Sequence, residues 1–126
     1  MLFTEILKEN KEFSRAYRVG RFVSCNILTC YFKQNKLPFN RMGITVGKKL
    51  GNAVTRNRAK RMIRAAYRLN EQNFPIGYDI VFVARNDIAE RKTDEIEKFF
   101  NERLIIQMNK AACEKPKSND KRKPVK

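Results

Sequence analysis

The chain of 126 residues has no histidine. That removes the commonest general base, the His-dependent catalytic triads and the usual imidazole metal ligand. No apolar run approaches the ~20 residues that a membrane-spanning helix needs. The opening stretch, Met1 to Asn10, is mixed in charge and lacks the apolar centre of a signal peptide. Cysteine is sparse: Cys25, Cys30 and Cys113, an odd count with no CxxC pair, which argues against a zinc site. Cys25 and Cys30 lie five apart in an expected strand, which predicts opposite faces for them as small buried thiols in a reducing compartment. These absences predict a soluble cytoplasmic protein with no membrane partner, no small-molecule substrate, no metal site and no catalytic constellation of its own.

Acid is missing where it matters most. From Phe13 to Asn70 there are 14 Lys or Arg and no Asp or Glu, whereas the remaining residues hold 14 basic and 13 acidic side chains. Nearly all of the net charge of +15 therefore falls in one block. An ordinary solvated surface mixes its signs, so a one-signed block inside a folding domain calls for a polyanionic partner. Anionic lipid is the poorer fit, because membrane binding by a helix requires an apolar face left free to insert.

The composition, 42% apolar, can build one core, and a chain of this size buries roughly two-thirds of its unfolded surface. Asn10 is a candidate cap for a helix that places Phe13, Ala16 and Tyr17 on one face and stops at Gly20. Arg21 to Lys33 reads as one strand, with Ile27, Thr29 and Tyr31 opposite Leu28, Cys30 and Phe32. After a turn containing Pro38, Arg41 to Gly47 alternates bulky Met42, Ile44 and Val46 with bare Gly43, Thr45 and Gly47. A bare face on a strand means that something packs or binds closely there. Asn52 should cap a helix running to about Leu69, and Asn73 to Gly77 supplies the break. Tyr78 to Ala84 is apolar on both faces, as expected of a central covered strand. A last helix starts near Thr93, with Asp94, Glu95 and Glu97 suiting its dipole and Ile96, Phe99, Phe100, Leu104 and Met108 forming its buried stripe. This order predicts an α+β sandwich over residues 1–113, followed by a disordered basic tail, 114–126.

The helix after Asn52 carries the charge. At about 100° per residue, Arg56, Lys60, Arg64, Arg68 and Arg61 fall within roughly 140° of arc, and Leu69, Met62, Ala66, Ala59 and Ile63 fall opposite. Arg58 sits at the seam. Solvated basic faces usually interleave Glu for i,i+4 support, and here there is none. Arg is suited to bidentate phosphate contact, and the N–H groups at the helix start attract phosphate as well.

These residues have a recognisable pattern. The string GNAVTRNRAKRMIRAAYR, preceded by GITVGKK, resembles the RNR motif of the bacterial ribonuclease P protein family. Asn10-Lys-Glu-Phe13, Tyr17 and Gly20 are similar to that family's first helix, and Tyr78 to Arg85 to its last strand. The resemblance implies a two-layer α/β sandwich of about four strands and three helices with a left-handed βαβ crossover. It implies removal of the 5′ leader of precursor tRNA by a ribonucleoprotein whose RNA performs the phosphodiester hydrolysis with Mg²⁺, held mainly by the RNA, and no organic cofactor. Asn52, Arg56, Asn57, Arg58, Lys60, Arg61, Arg64 and Arg68 match the motif and would dock on the catalytic RNA. Phe13, Tyr17 and Tyr31 match the aromatic cleft that takes the single-stranded leader, with Arg15, Arg18, Lys48 and Lys49 as its positive rim. Tyr17 stands where Phe would be common, a change that stacking tolerates.

Two other readings of the charge remain open to comparison. A general structural RNA-binding protein would need the basic helix but not the aromatic residues. A DNA-binding protein would need base-reading side chains, and the ridge offers only Asn52 and Asn57. The segment Gly43 to Lys49 is one residue short of a phosphate-binding P-loop and has Lys49 where Ser or Thr would hold Mg²⁺.

Overall fold

The computed structural model describes residues 4–85 and 88–113; the basic tail expected at 114–126 lies outside the described residues. The run YDIVFVA forms β5 (Tyr78–Ala84), buried at every position but Val83. It is the middle of a five-stranded sheet. On one side it pairs in parallel with β4 (Asn40–Thr45), which pairs in parallel with an edge strand, β1 (Thr4–Ile6). On the other side it pairs antiparallel with β3 (Leu28–Gln34), which pairs antiparallel with the second edge strand, β2 (Arg21–Ser24). The five strands thus include one, β1, that the sequence pattern did not reveal: three residues are too few to display an alternation.

Strand alternation sends successive side chains to opposite faces. Tyr78, Ile80, Phe82 and Ala84 of β5, Leu28, Cys30 and Phe32 of β3, and Met42 of β4 enter the large core. Two helices close that core: α2 (Ala53–Asn70), and α3 (Thr93–Phe99), which passes through a π-helical turn, Phe100–Leu104, into α4 (Ile105–Cys113). The expected stripe of Ile96, Phe99, Phe100, Leu104 and Met108 is buried throughout. The opposite sheet face carries α1 (Asn10–Val19), whose Phe13 and Ala16 meet Leu7, Tyr31, Val81 and Val83 in a second, smaller cluster. The chain is therefore α+β with helices segregated by face.

The expected strand over Arg21–Lys33 is in fact a hairpin. The chain reverses at 25–27, where Cys25 N–H donates to Leu28 O at 2.8 Å. No Gly or Pro marks the turn, so β-forming residues run straight through it. This reversal also overturns the placing of the two thiols: Cys30 is buried in the large core and Cys25 packs against that same core. Burial pushes the Cys30 thiol well above its ordinary value. At the start of α1 the cap is Glu9, not Asn10, and no side chain caps the helix.

Candidate nucleic-acid interface

Two surfaces carry the residues singled out by sequence. The first is α2. Gly51 has φ of +133°, a conformation that a side chain would strain, and this turns the chain into the helix. Asn52 Oδ1 then accepts the Thr55 N–H at 3.0 Å, as expected of the cap. Along the helix Asn57, Arg61, Arg64 and Arg68 are exposed, and no acidic residue lies among them. Arg56 and Lys60 are half-buried, and Arg56 Nε is buried with no hydrogen-bond partner among the described residues. Arg58 is exposed as a residue, yet its Nε donates to Ala89 O at 2.7 Å and ties α2 to the turn before α3.

The buried face of α2 is rotated by roughly 50° from the expected one. Leu69, expected in the core, is 71% exposed, while Tyr67, which lies between Arg56 and Lys60 around the helix, is fully buried. Tyr67 decides the rotation. Its ring packs on Phe74 and Phe82, with centroids at 4.8 and 6.0 Å, and its hydroxyl meets Thr4 Oγ1 at 2.8 Å. The exposed cationic ridge is accordingly narrower, centred on Arg61, Arg64 and Arg68.

The second surface is the α1 side of the sheet. Gly43 lets Phe13 lie directly on β4: a Cβ there would come within 2.5 Å of Phe13 Cζ. The bare strand face expected from Gly43 and Thr45 is thus covered from within the chain. Tyr17 shares a hydrogen bond with Thr45 at 2.8 Å and meets Tyr31 edge-to-face, with centroids 5.0 Å apart. Arg15, Arg18, Lys48 and Lys49 are all exposed; Lys48 and Lys49 lie in the short turn linking β4 to α2.

Three side chains not found from sequence hold this surface together. Arg41 Nε and Nη2 donate to Asp79 Oδ1 and Oδ2, both at 2.8 Å, and its Nη1 donates to Glu12 Oε2 at 2.5 Å. Arg41 and Asp79 are register partners on β4 and β5, so the ion pair pins the start of α1 to the sheet. The hydrogen bond with Asp79 raises Arg41 further above its already high value. Lys33, beside them on β3, is held below its ordinary value by burial, and Arg15 adds to the effect. The cations around the cleft thus crowd one another, while Glu12 and Asp79 are already neutralised by Arg41. Long-range pairing of this kind leaves no local mark in sequence.

A fourth side chain, Phe22, joins the rings. One unbroken strand would have put Phe22 and Tyr31 on opposite faces. The hairpin pairs them directly across β2 and β3, with centroids 5.7 Å apart.

Known proteins share this sequence and this fold. The family model described as Ribonuclease P matches residues 1–109. The ribonuclease P protein component of Clostridium botulinum (strain Langeland) is 45% identical over 92 residues, 72% of this chain and 83% of the relative. That of Pelotomaculum thermopropionicum is 42% identical over 98 residues, 78% of this chain and 88% of the relative. The Staphylococcus aureus RNase P protein structure aligns with a TM-score of 0.72 at 34% identity, over 81% of this chain and 94% of that one. The Thermotoga maritima RNase P protein aligns at 0.70 with 25% identity, over 84% and 96% of the two chains. The chain belongs to the bacterial ribonuclease P protein family, the protein subunits of a tRNA-processing ribonucleoprotein endoribonuclease.

Proposed function

We propose that this subunit binds the catalytic RNA through α2 and the single-stranded 5′ leader of precursor tRNA through the cleft between α1 and the sheet, the phosphodiester hydrolysis residing in the RNA. The observation that carries the reading is the pairing of an exposed acid-free Arg ridge with an aromatic surface on the other side of the same sheet. Arg61, Arg64 and Arg68, with Asn57, contact phosphates of the catalytic RNA; Asn52 presents the mouth of the helix, where N–H groups and dipole favour an anion. Arg56 and Lys60 flank the ridge, and Arg58 serves chiefly to hold α2 in place. In the cleft, Tyr17 and Tyr31 stack on leader bases and Phe13 supports them from the core, while Arg15, Arg18, Lys48 and Lys49 attract the backbone. Lys48 and Lys49 lie between the two surfaces in the chain, so one protein can bridge the catalytic RNA and its substrate.

In this reading Glu12 and Asp79, both engaged by Arg41, are not ligands of the Mg²⁺. The Mg²⁺ of the reaction is held mainly by the RNA. The protein contributes binding and orientation of the substrate, which lower the barrier without a protein nucleophile or base.

The test is cleavage of a leader-bearing precursor tRNA by a bacterial ribonuclease P RNA at low Mg²⁺, with and without the protein. Stimulated cleavage at the mature 5′ end is the expected result. No stimulation, where a known subunit works, would reduce the protein to a general RNA binder.

A further inference from the structure

On the α1 side of the sheet the rings form a row rather than a pocket. Tyr17 from α1, Tyr31 from β3 and Phe22 from β2 follow one another at centroid separations of 5.0 and 5.7 Å. Helix α1 lies over β3, β5 and β4, where Tyr17 meets Tyr31 and Phe13 lies on Gly43, and it leaves the β2 end open. Phe22 sits at that open end, on an edge strand, and is 62% exposed. A single exposed apolar side chain is ordinary. A large ring that continues an aromatic row is not explained by packing, because it adds little to either core cluster.

The charge around Phe22 suits one kind of occupant. Strands β2 and β3 and most of α1 belong to the acid-free block; on this face Glu12 and Asp79 are held by Arg41, and Glu5 lies on the far edge strand, β1. Arg18, at the end of α1, is exposed, whereas Arg21 pairs with Phe32 and takes the other sheet face. Arg85 is exposed on this face, its Nη1 donating to Thr29 Oγ1 at 3.2 Å, two residues along β3 from Tyr31. Aromatic rings in a positive groove are the common means of holding a single strand, because every base has a face to stack.

We propose that Phe22 is a further leader-binding residue: it stacks one nucleotide beyond those held by Tyr17 and Tyr31, so that the single strand leaves the cleft across the β2 edge with Arg85 at its backbone. This extends the leader-binding reading and depends on it. Tyr31 is a shared neighbour, so removing the Phe22 ring shortens the platform without dismantling the cleft.

The experiment measures affinity of precursor tRNA for the complex of the full protein with ribonuclease P RNA, using leaders lengthened one nucleotide at a time and mature tRNA as reference. For the parent, affinity rises until the leader reaches Phe22 and then levels off. For Phe22→Ala the plateau comes one nucleotide earlier and roughly five-fold weaker, the lower end of the effect of one stacked base on a partly exposed ring. Phe22→Tyr keeps the parent profile and Phe22→Leu follows Phe22→Ala. An abasic nucleotide stepped along the leader identifies the base concerned, since sensitivity at that position disappears in Phe22→Ala. Parent-like affinity of Phe22→Ala or Phe22→Leu, or an equal loss for mature tRNA, would overturn the proposal. If Tyr31→Ala weakens leader binding while Phe22→Ala does not, only Phe22 is removed from the cleft. If neither does, the leader-binding reading fails and this one fails with it.

Discussion

Replacing Arg41 by Met should be the most costly single change near the cleft. The Asp79 side chain is 7% exposed and accepts two hydrogen bonds from Arg41; without them it retains Asn35 Nδ2 at 3.0 Å. Removing one partner of a buried ion pair costs roughly 3–5 kcal/mol, because the other charge is left desolvated. The Arg41 and Glu12 side chains keep 25% and 22% of their exposure, and water screens part of the loss. The expected loss is therefore about 2–3 kcal/mol, which a urea slope of about 1.5 kcal/mol/M turns into a midpoint lower by about 1.3–2 M. Asp79→Asn in the Arg41→Met background should recover part of the loss. Urea unfolding of the single and double variants at neutral pH measures both effects. A deficit under about 1 kcal/mol, or no recovery in the double variant, would refute the view that Arg41 clamps α1 to the sheet.

Other expected outcomes are narrower. Arg64→Ala should weaken binding to the catalytic RNA at fixed salt with no change in unfolding, and should lower the log–log salt slope by about 0.9, one phosphate contact; an unchanged slope would remove Arg64 from the interface. Ile63→Ala should cost about 2–5 kcal/mol, whereas Leu69→Ala should stay within about 0.5 kcal/mol; equal losses in thermal unfolding would restore Leu69 to the core. Stability should fall as pH rises above about 9, where the Cys30 thiol ionises in the unfolded chain and not in the folded one. Cys30→Ala should flatten that alkaline limb, and an unchanged limb would assign it elsewhere.

Most elements were legible in the sequence because their signals are local. Asn52 caps α2, the Tyr78–Ala84 run is apolar on both faces, and the stripe from Ile96 to Met108 repeats at helical spacing. Each depends on neighbours within a turn or two of chain. The acid-free block was legible for the same reason: charge sign needs no structure to be read. The failures share a cause as well. Helical periodicity alone put Leu69 inside, and the Tyr67 ring, by seating on Phe74 and Phe82, rotated the helix away from that arrangement. The unbroken β propensity from Arg21 to Lys33 hid a reversal at 25–27 that puts Cys25 and Cys30 against the same core.

Sequence alone determined that the protein carries a one-signed cationic helix, lacks the histidine chemistry of many hydrolytic enzymes and has aromatic residues in an acid-free region. These are properties of composition and spacing. Only the tertiary structure decided which cations face outward, that Arg41 joins α1 to the sheet, and that Phe22 stands beside Tyr31. Those outcomes depend on pairing across the sheet: register sets which face each strand residue takes, and no short-range pattern specifies register between strands whose partners are distant in the chain.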